Sequence, residues 1–310
     1  MTCLGIEIGG TKLQLVVGDA SGHILDRRRL AVDRTAGGVG IRQQIAAALP
    51  ELIRAHHPAA VGVGFGGPVD FRTGRICCSH QIAGWHDFEL GAWLRELTGL
   101  PVSVENDANV AALGEALRGA GRGFDPVFWI NMGSGVGGGL VTGGRLYHGA
   151  IPGEAEFGHL RLDRQGTTVE DRCSGWAVDR RIAARVKESA GPSVLGDLVA
   201  KQDQPGGEAR HLAAALTAGD GLAKRIVAEV ADDLAFALSH AVQLFHPQAV
   251  VMGGGLSLVG EPLRAAVAAA LPGYVMDSFR PGPQILLPGL GEDSVPVGAL
   301  ALAAAELGEA

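Results

Sequence analysis

Residues 4–17 read LGIEIGGTKLQLVV, in which two apolar runs flank the pair Gly9-Gly10. Each run, residues 4–8 and residues 13–17, has the length and the apolar content of a buried strand. A glycine pair between two such runs is typical of a tight turn, because glycine adopts backbone conformations that other residues avoid. The stretch therefore predicts two strands joined by a tight turn.

A second stretch of the same kind lies near the middle of the chain, where residues 127–142 read VFWINMGSGVGGGLVT. An apolar run at residues 127–132 leads into the turn Gly133-Ser134-Gly135, and a return strand is predicted at residues 137–141. Two copies of one strand–turn–strand unit indicate two similar lobes.

Strands and helices alternate along the rest of the chain. Apolar spacing predicts helices at residues 41–56, 90–97, 107–117, 223–245 and 297–307, and further strands at residues 60–65, 102–104 and 249–252. Residues 234–260 carry no charge, but a proline and three glycines interrupt them, so a buried helix and a strand fit better than a membrane span. We expect an α/β fold with a small lobe at residues 1–118, completed by a C-terminal helix at about 292–310, and a large lobe at residues 119–291.

Composition excludes several classes of protein. The chain has 310 residues, more than the ~250–300 at which one hydrophobic core stops growing, so two packed domains are expected. Apolar residues make up 47% of the chain and charged residues 19%, which excludes a disordered protein, and the net charge of −7 argues against a nucleic-acid partner. Four cysteines without a C-x-x-C pair predict neither a disulfide scaffold nor a zinc finger. With no signal peptide visible, we expect a cytoplasmic protein without a membrane partner.

The two glycine turns are candidate phosphate sites. Thr11 and Lys12 follow the first turn and Ser134 lies within the second, so each combines approachable backbone N–H groups with a hydroxyl. Neither turn matches the Walker pattern G-x-x-x-x-G-K-[ST], and each taken singly is more often an ordinary hairpin turn.

The sequence Glu105-Asn106-Asp107 stands where a strand meets a helix. Asn106 or Asp107 suits the N-cap of that helix. A carboxylate at a strand end is also placed to act as a general base. The residues alone leave both interpretations open.

A further cluster of polar residues lies at residues 153–159, which read GEAEFGH, with Glu170 eleven residues beyond. Carboxylates and imidazole suit bidentate hydrogen bonding to neighbouring sugar hydroxyls. A polar loop without function is equally consistent with this segment.

The order of these motifs resembles that of the ROK family of bacterial sugar kinases and repressors, over essentially the whole chain. Residues 6–12 (IEIGGTK) look like the family's first phosphate loop and residues 132–139 (MGSGVGGG) like its second. The family's G-x-G-x-x-G-P-V-D strand end resembles residues 62–70 (GVGFGGPVD), and its segment with the catalytic aspartate resembles residues 104–109 (VENDAN). The family's sugar segment resembles residues 149–159, and its adenosine-side loop resembles residues 250–255.

The resemblance implies an actin-like, hexokinase-like (ribonuclease H-like) fold with a cleft between two lobes, often a homodimer. It implies that Asp107 is the base acting on the sugar 6-hydroxyl, with ATP and Mg²⁺ as cofactors. The implied sugar ligands are Asn106, Glu156, His159 and Glu170, with Gly66 and Gln81 nearby. The implied cofactor-binding residues are Gly9, Gly10, Thr11, Lys12, Gly133, Ser134 and Gly135 for the phosphates, and Gly253, Gly254 and Gly255 for the nucleoside.

Three departures from the family pattern matter. Glu7 stands where the family usually has Asp, and Ser134 replaces the more usual Thr. The family's zinc motif, C-x-C-G-x-x-G-C, is missing between His159 and Glu170, and Cys173 does not replace a ligand. We therefore expect no zinc and carry over His159 as a sugar ligand alone.

The resemblance implies ATP-dependent phosphorylation of a hexose, glucose first. Another hexose (fructose, mannose, allose or an N-acetylhexosamine) and a non-catalytic sugar-binding or regulatory role are the alternatives, and polyphosphate stays open as a donor. Repressors of the family carry a DNA-binding domain before the first phosphate loop, which begins here at Gly9. We therefore expect a kinase and no nucleic-acid partner.

Overall fold

The computed structural model of the protein describes residues 1–79, 81–151, 155–189 and 191–308. The chain packs into two compact units. Unit 1 consists of Met1–Gly123, Gly139–Ala155 and Gly289–Ala310, and unit 2 consists of Phe124–Gly138 and Glu156–Pro288. This division differs from the lobes expected from the sequence chiefly at residues 139–155, which belong to unit 1.

Two sheets of the described chain repeat one topology. The strands are β1 (Thr2–Ile8), β2 (Lys12–Asp19), β3 (Ile24–Ala31), β4 (Val61–Phe65), β5 (Val69–Asp70), β6 (Arg75–Ile76), β7 (Val102–Asn106), β8 (Val127–Met132), β9 (Val136–Thr142), β10 (Arg145–Leu146), β11 (Ala249–Gly253) and β12 (Gln284–Leu286). Their orders are β3-β2-β1-β4-β7 and β10-β9-β8-β11-β12, and β5 pairs with β6. In each order an antiparallel hairpin is followed by parallel strands. The repeat predicted from the two glycine turns is confirmed.

Helices fill the connections between these strands. They are α1 (Gly37–His56), α2 (Leu90–Thr98), α3 (Asp107–Arg118), α4 (Val169–Cys173), α5 (Gly175–Glu188), α6 (Val194–Ala200), α7 (Leu212–Thr217), α8 (Gly221–Phe245), α9 (Glu261–Ala270) and α10 (Ser294–Glu306), with short 3₁₀ helices such as Phe157–His159. The uncharged segment forms the end of α8 and then β11, as predicted. None of the helices in the described part of the chain has the length and hydrophobicity needed to cross a membrane.

The strand β3 was missed by the sequence reasoning. Its sequence ILDRRRLA carries charged residues and its burial pattern shows no fully buried position. β3 is the edge strand of its sheet, and edge strands commonly carry charges that discourage pairing with other chains. Apolar periodicity therefore gave no signal for it.

The core of unit 1 lies on both faces of its sheet. On one face α1 contributes Ile41, Ile45, Leu49 and Leu52, all at most 1% exposed. On the other face, α10 packs against β1, β4 and α3. A methyl group at Gly298 of α10 would overlap the carbonyl of Val110 in α3, so this close helix contact requires glycine.

Candidate active site

Three parallel strands of unit 1 end at one edge of the sheet. In the register, Ile8 of β1 lies beside Phe65 of β4, and Phe65 lies beside Asn106 of β7. The residues that follow these strands are Gly9, Gly66 and Asp107. Carboxyl ends of parallel strands are where ligands bind in open α/β sheets.

Gly66 is the point where the residues after these strands meet. Its amide donates to the carbonyl of Ile8 at 2.8 Å. A methyl group at Gly66 would lie 3.3 Å from Oδ2 of Asp107 and 3.5 Å from Cα of Gly9. The Asp107 carboxylate and the first glycine turn therefore border the same glycine.

Asn106 is the N-cap of α3. Its Oδ1 accepts hydrogen bonds from the amides of Ala108 (2.8 Å) and Asn109 (3.3 Å), and its Nδ2 donates to the carbonyl of Gly67 at 3.1 Å. Asn106 therefore caps the helix, and Asp107 is the first residue of the helix. The positive end of the helix dipole favours a carboxylate at that position.

The first glycine turn is closed by a hydrogen bond from the Gly9 amide to the carbonyl of Lys12 at 2.8 Å. A methyl group at Gly10 would overlap the side chain of Gln81, so this predicted sugar ligand lies against the turn. Thr11 and Lys12 are exposed, and Nζ of Lys12 lies 3.6 Å from the carboxylate of Glu292.

Glu7 lies within β1, just before the turn. Burial raises the pKa of its carboxyl, against the opposing effects of the hydrogen bond from Gln14 and the charge of Lys12. The Gln14 Nε2 donates to Oε2 of Glu7 at 2.5 Å. The departure from the family's Asp is therefore a partly buried, hydrogen-bonded carboxyl.

The second glycine turn joins β8 to β9 in unit 2. The Gly133 amide donates to the carbonyl of Gly135 at 2.9 Å, and the carbonyl of Gly133 accepts from the amide of Gly175 at 2.7 Å. Gly175 is the first residue of α5, whose N-cap is Ser174. A methyl group at Gly133 meets nothing closer than 3.8 Å, so the backbone there is open to a ligand.

Glu170 lies against this second turn. Its Oε2 accepts a hydrogen bond from the Val136 amide at 2.9 Å, and a methyl group at Gly135 would lie 2.5 Å from the same oxygen. Glu170 belongs to the short helix α4, which Thr168 and Asp171 begin with a reciprocal capping box. The cap fixes the start of the helix that carries Glu170.

Glu156 is the N-cap of the 3₁₀ helix Phe157–His159, and His159 is its last residue. Their side chains are 52% and 72% exposed, with the His159 Nε2 3.9 Å from Oε2 of Glu156. A methyl group at Gly158 would overlap the carbonyl of Val136, so the short helix packs directly on the beginning of β9. Of the cluster predicted here, Gly153 and Glu154 lie outside the described residues.

The third glycine run begins at Gly253, the last residue of β11, and lies beside the end of β8. Gly253 packs against the ring of Trp129, and Gly254 has φ +81°, where a methyl group would lie 2.5 Å from the backbone of Met132. The predicted nucleoside loop and the second glycine turn, which follows Met132, are thus neighbours in unit 2.

The residues near His159 do not fit the family's structural zinc. Within the described residues no group of three or more His, Cys, Asp or Glu side chains is arranged to hold a metal ion. Cys173 is buried, and burial raises the pKa of its thiol, which disfavours the thiolate that zinc requires.

Backbone hydrogen bonds hold residues 160–169 instead. The Leu162 amide donates to Thr167 O at 2.8 Å and the Val169 amide to Leu160 O at 2.9 Å. The carboxylate of Asp163 accepts from the amides of Gly166 and Thr167 at 2.9 and 3.0 Å. The segment closes on itself as a hairpin.

Sequence reasoning missed two features of the site. The first is the hydrogen bond that the Gly133 carbonyl accepts from the Gly175 amide. Ser174, a residue type that favours the N-cap, was a sequence signal for the start of α5 at Gly175. Glu105 is buried and pairs with His148, which lies 43 residues away. No local pattern indicates the second contact.

Comparisons with known proteins find similarity along nearly the whole chain. The profile of the ROK family matches residues 3–306. A glucokinase of Halalkalibacterium halodurans is 31% identical to this chain, and the match covers 95% of this chain and 92% of the relative. A glucokinase of Streptomyces coelicolor is 33% identical, and the match covers 97% of this chain and 96% of the relative. The crystal structure of a ROK glucokinase from Streptomyces griseus in complex with glucose and AMPPNP is 34% identical, has a TM-score of 0.82, and covers 98% of this chain and 99% of its own.

Proposed function

The chain belongs to the ROK family, and we propose that it phosphorylates glucose at the 6-hydroxyl with ATP as the donor. The single observation that carries the proposal is the position of Asp107. Its carboxylate borders Gly66 and lies at the same strand edge as the first glycine turn. This arrangement supports a role for Asp107 as a base beside the first glycine turn.

Asp107 would accept the proton of the sugar hydroxyl as that oxygen attacks the γ-phosphorus. The phosphorus–oxygen bond to ADP breaks, and ADP leaves with the electron pair. Phosphoryl transfer depends chiefly on positioning and on neutralising charge. Asn106 supports the first requirement, because its three hydrogen bonds fix the residue next to Asp107.

The glycine turns would bind the phosphates through backbone amides. The residues proposed to bind the phosphates are Gly9, Gly10, Thr11 and Lys12 of the first turn and Gly133, Ser134 and Gly135 of the second, while Gly253, Gly254 and Gly255 would border the nucleoside. The openness of the backbone at Gly133 supports this role. Helix α5, which begins at Gly175 against Gly133, adds the positive end of a helix dipole.

Mg²⁺ fits this donor set. It is usually held by one or two carboxylates, several waters and the substrate's phosphates rather than by a protein cage. Glu7, at the end of β1, would hold a metal-bound water. When bound, the ion neutralises charge on the transferring phosphoryl group.

The sugar would be held by Asn106, Glu156, His159 and Glu170, near Gly66 and Gln81. The exposure of Glu156 and His159 leaves both side chains accessible to a ligand. A carboxylate accepts several hydrogen bonds, so Glu170 is able to hold the Val136 amide and a sugar hydroxyl together.

An ATP-dependent phosphorylation assay across glucose, fructose, mannose, allose and N-acetylhexosamines tests the proposal. The highest kcat/KM is expected for glucose, with glucose 6-phosphate as the product. Another preferred hexose would reassign the substrate, and sugar binding without turnover would favour a regulatory role. A parallel assay with polyphosphate tests the donor.

Two further proposals rest on family membership. We infer a homodimer, which light scattering of the purified protein tests. We also infer a cytoplasmic location, which fractionation of the native cells tests. A monomer at micromolar concentration, or recovery in the membrane fraction, would overturn the respective inference.

A further inference from the structure

A buried carboxylate that the proposed chemistry does not use lies two residues before Asp107. The Glu105 side chain, in β7, is only 5% exposed. Its Oε1 accepts a hydrogen bond from Nε2 of His148, and its Oε2 accepts one from Nδ2 of Asn109 at 3.4 Å. Burying a charged carboxylate is costly unless it is paired, so these contacts stabilise Glu105 in place.

His148 is itself held on a second side. Its ring stacks on that of Phe71, with centroids 3.8 Å apart and an interplanar angle of 13°. Phe71 directly follows β5, in the segment that begins at Gly66. The imidazole is therefore fixed through its face by Phe71 and through its edge by Glu105.

These contacts join three segments that enter the proposed site. Glu105 directly precedes Asn106 and Asp107, and His148 directly precedes residues 149–159, which carry Glu156 and His159. The segment containing Phe71 starts at Gly66, and the Gly67 carbonyl accepts a hydrogen bond from Asn106. The His148 imidazole thus contacts Glu105, two residues before Asp107, and Phe71, in the segment that starts at Gly66.

We infer that His148 is a positioning residue, acting through Glu105 on the adjoining Asn106 and Asp107; the inference rests on the proposed function. Misplacing reacting groups by about 1 Å costs up to ~10²-fold in rate. His148→Ala is therefore expected to raise KM for glucose and to lower kcat, each roughly tenfold. KM for ATP is expected to stay within about twofold, because the contact of His148 with Glu105 leads to the base and to the proposed sugar ligand Asn106.

The chain offers a matched control in His56. Its Nε2 lies 3.0 Å from Oδ2 of Asp26, and its side chain is 24% exposed, the same fraction as for His148. His56→Ala removes a histidine–carboxylate pair of the same kind between α1 and β3. It is expected to lower Tm while leaving kcat and KM unchanged.

Two further variants keep the test valid if His148→Ala folds poorly. His148→Gln retains a hydrogen-bond donor for Glu105 and is expected to recover part of the activity. The double variant Glu105→Gln/His148→Phe removes the histidine–carboxylate pair and keeps an aromatic ring to stack on Phe71. A double-mutant cycle compares the wild type, Glu105→Gln, His148→Phe and the double variant in kcat/KM for glucose. If the pair acts as a unit, the double variant loses no more kcat/KM than His148→Phe alone.

Calorimetric titration with glucose alone separates this inference from the proposed function. An inactive wild-type protein that fails to bind glucose would overturn the proposed function. An active wild type with His148 variants that match His56→Ala in kcat, KM and glucose affinity would overturn the positioning role. Weaker glucose binding in His148→Ala, with unchanged affinity in His56→Ala, is the expected result.

Discussion

The Oε2 of Glu170 accepts a hydrogen bond from the amide of Val136 at 2.9 Å. This bond ties α4 to the first residue of β9, immediately after the second glycine turn. A residue expected from the sequence only to bind sugar therefore also holds the turn proposed to bind phosphate. Loss of the Glu170 side chain should therefore weaken the binding of both glucose and ATP.

Glu170→Ala is expected to raise KM for glucose and KM for ATP, because the carboxylate supports both the sugar and the turn. Hydrogen bonds to charged groups contribute about 1.5–3 kcal/mol, which corresponds to roughly 10–100-fold in affinity. Glu156→Ala is the matched control, since the exposed Glu156 is proposed to touch the sugar alone. Equal changes of KM for ATP in both variants would contradict the role of Glu170 in supporting the turn.

Asp107→Asn tests the base. The amide keeps the size of the side chain but removes the proton acceptor, so kcat should fall ~10²–10⁴-fold. Glucose affinity, measured by calorimetry, should be largely retained. Asp70→Asn, at the end of β5, is the control and should leave kcat near that of the wild type. Activity of Asp107→Asn within a few-fold of wild type would assign Asp107 a structural role.

Gly133→Val tests the second phosphate turn. Since a methyl group at Gly133 meets nothing closer than 3.8 Å, the variant should fold while its side chain blocks the approach of phosphate. ATP affinity should fall at least tenfold, with glucose affinity unchanged. Gly273→Val, where a methyl group meets nothing within 4 Å, is the control. Gly10→Val is a poorer probe, because it also displaces Gln81.

Glu7→Gln should gain stability and lose metal affinity. Burial raises the pKa of Glu7 above its ordinary value of 4.5, so the folded protein holds that proton more tightly than the unfolded chain. Stability is therefore lost as pH rises from about that value through the folded pKa. A neutral amide removes this loss, so Tm of Glu7→Gln should exceed that of the wild type at pH 7.5. The difference should shrink toward pH 4.5.

The same variant should require more Mg²⁺. Groups that orient metal-bound water typically contribute 10–100-fold in metal affinity, so the Mg²⁺ concentration for half-maximal activity should rise at least tenfold. Glu7→Asp is the control that keeps the charge. An unchanged Mg²⁺ requirement in Glu7→Gln would remove Glu7 from the metal site.

Local patterns in the sequence predicted much of this fold. Apolar runs around Gly9-Gly10 and Gly133-Gly135 indicated the two repeated hairpins, since strand length and turn chemistry are local properties. The charged edge strand β3 lacked that signal. The hydrogen bonds that Glu105 accepts from His148 and Glu170 accepts from Val136 join residues far apart in the chain, and only the packing of the elements brings them together.

The last prediction concerns zinc, where this chain departs from its family. A structural zinc needs four ligands in a closed site, whereas residues 160–169 close through their own hydrogen bonds and the Asp163 carboxylate. Purified protein should contain no stoichiometric zinc, and EDTA treatment followed by Mg²⁺ should leave activity unchanged. Asp163→Ala should instead lower Tm and raise KM for glucose, because the hairpin leads into Glu170. One zinc per chain, lost together with activity on chelation, would contradict this account.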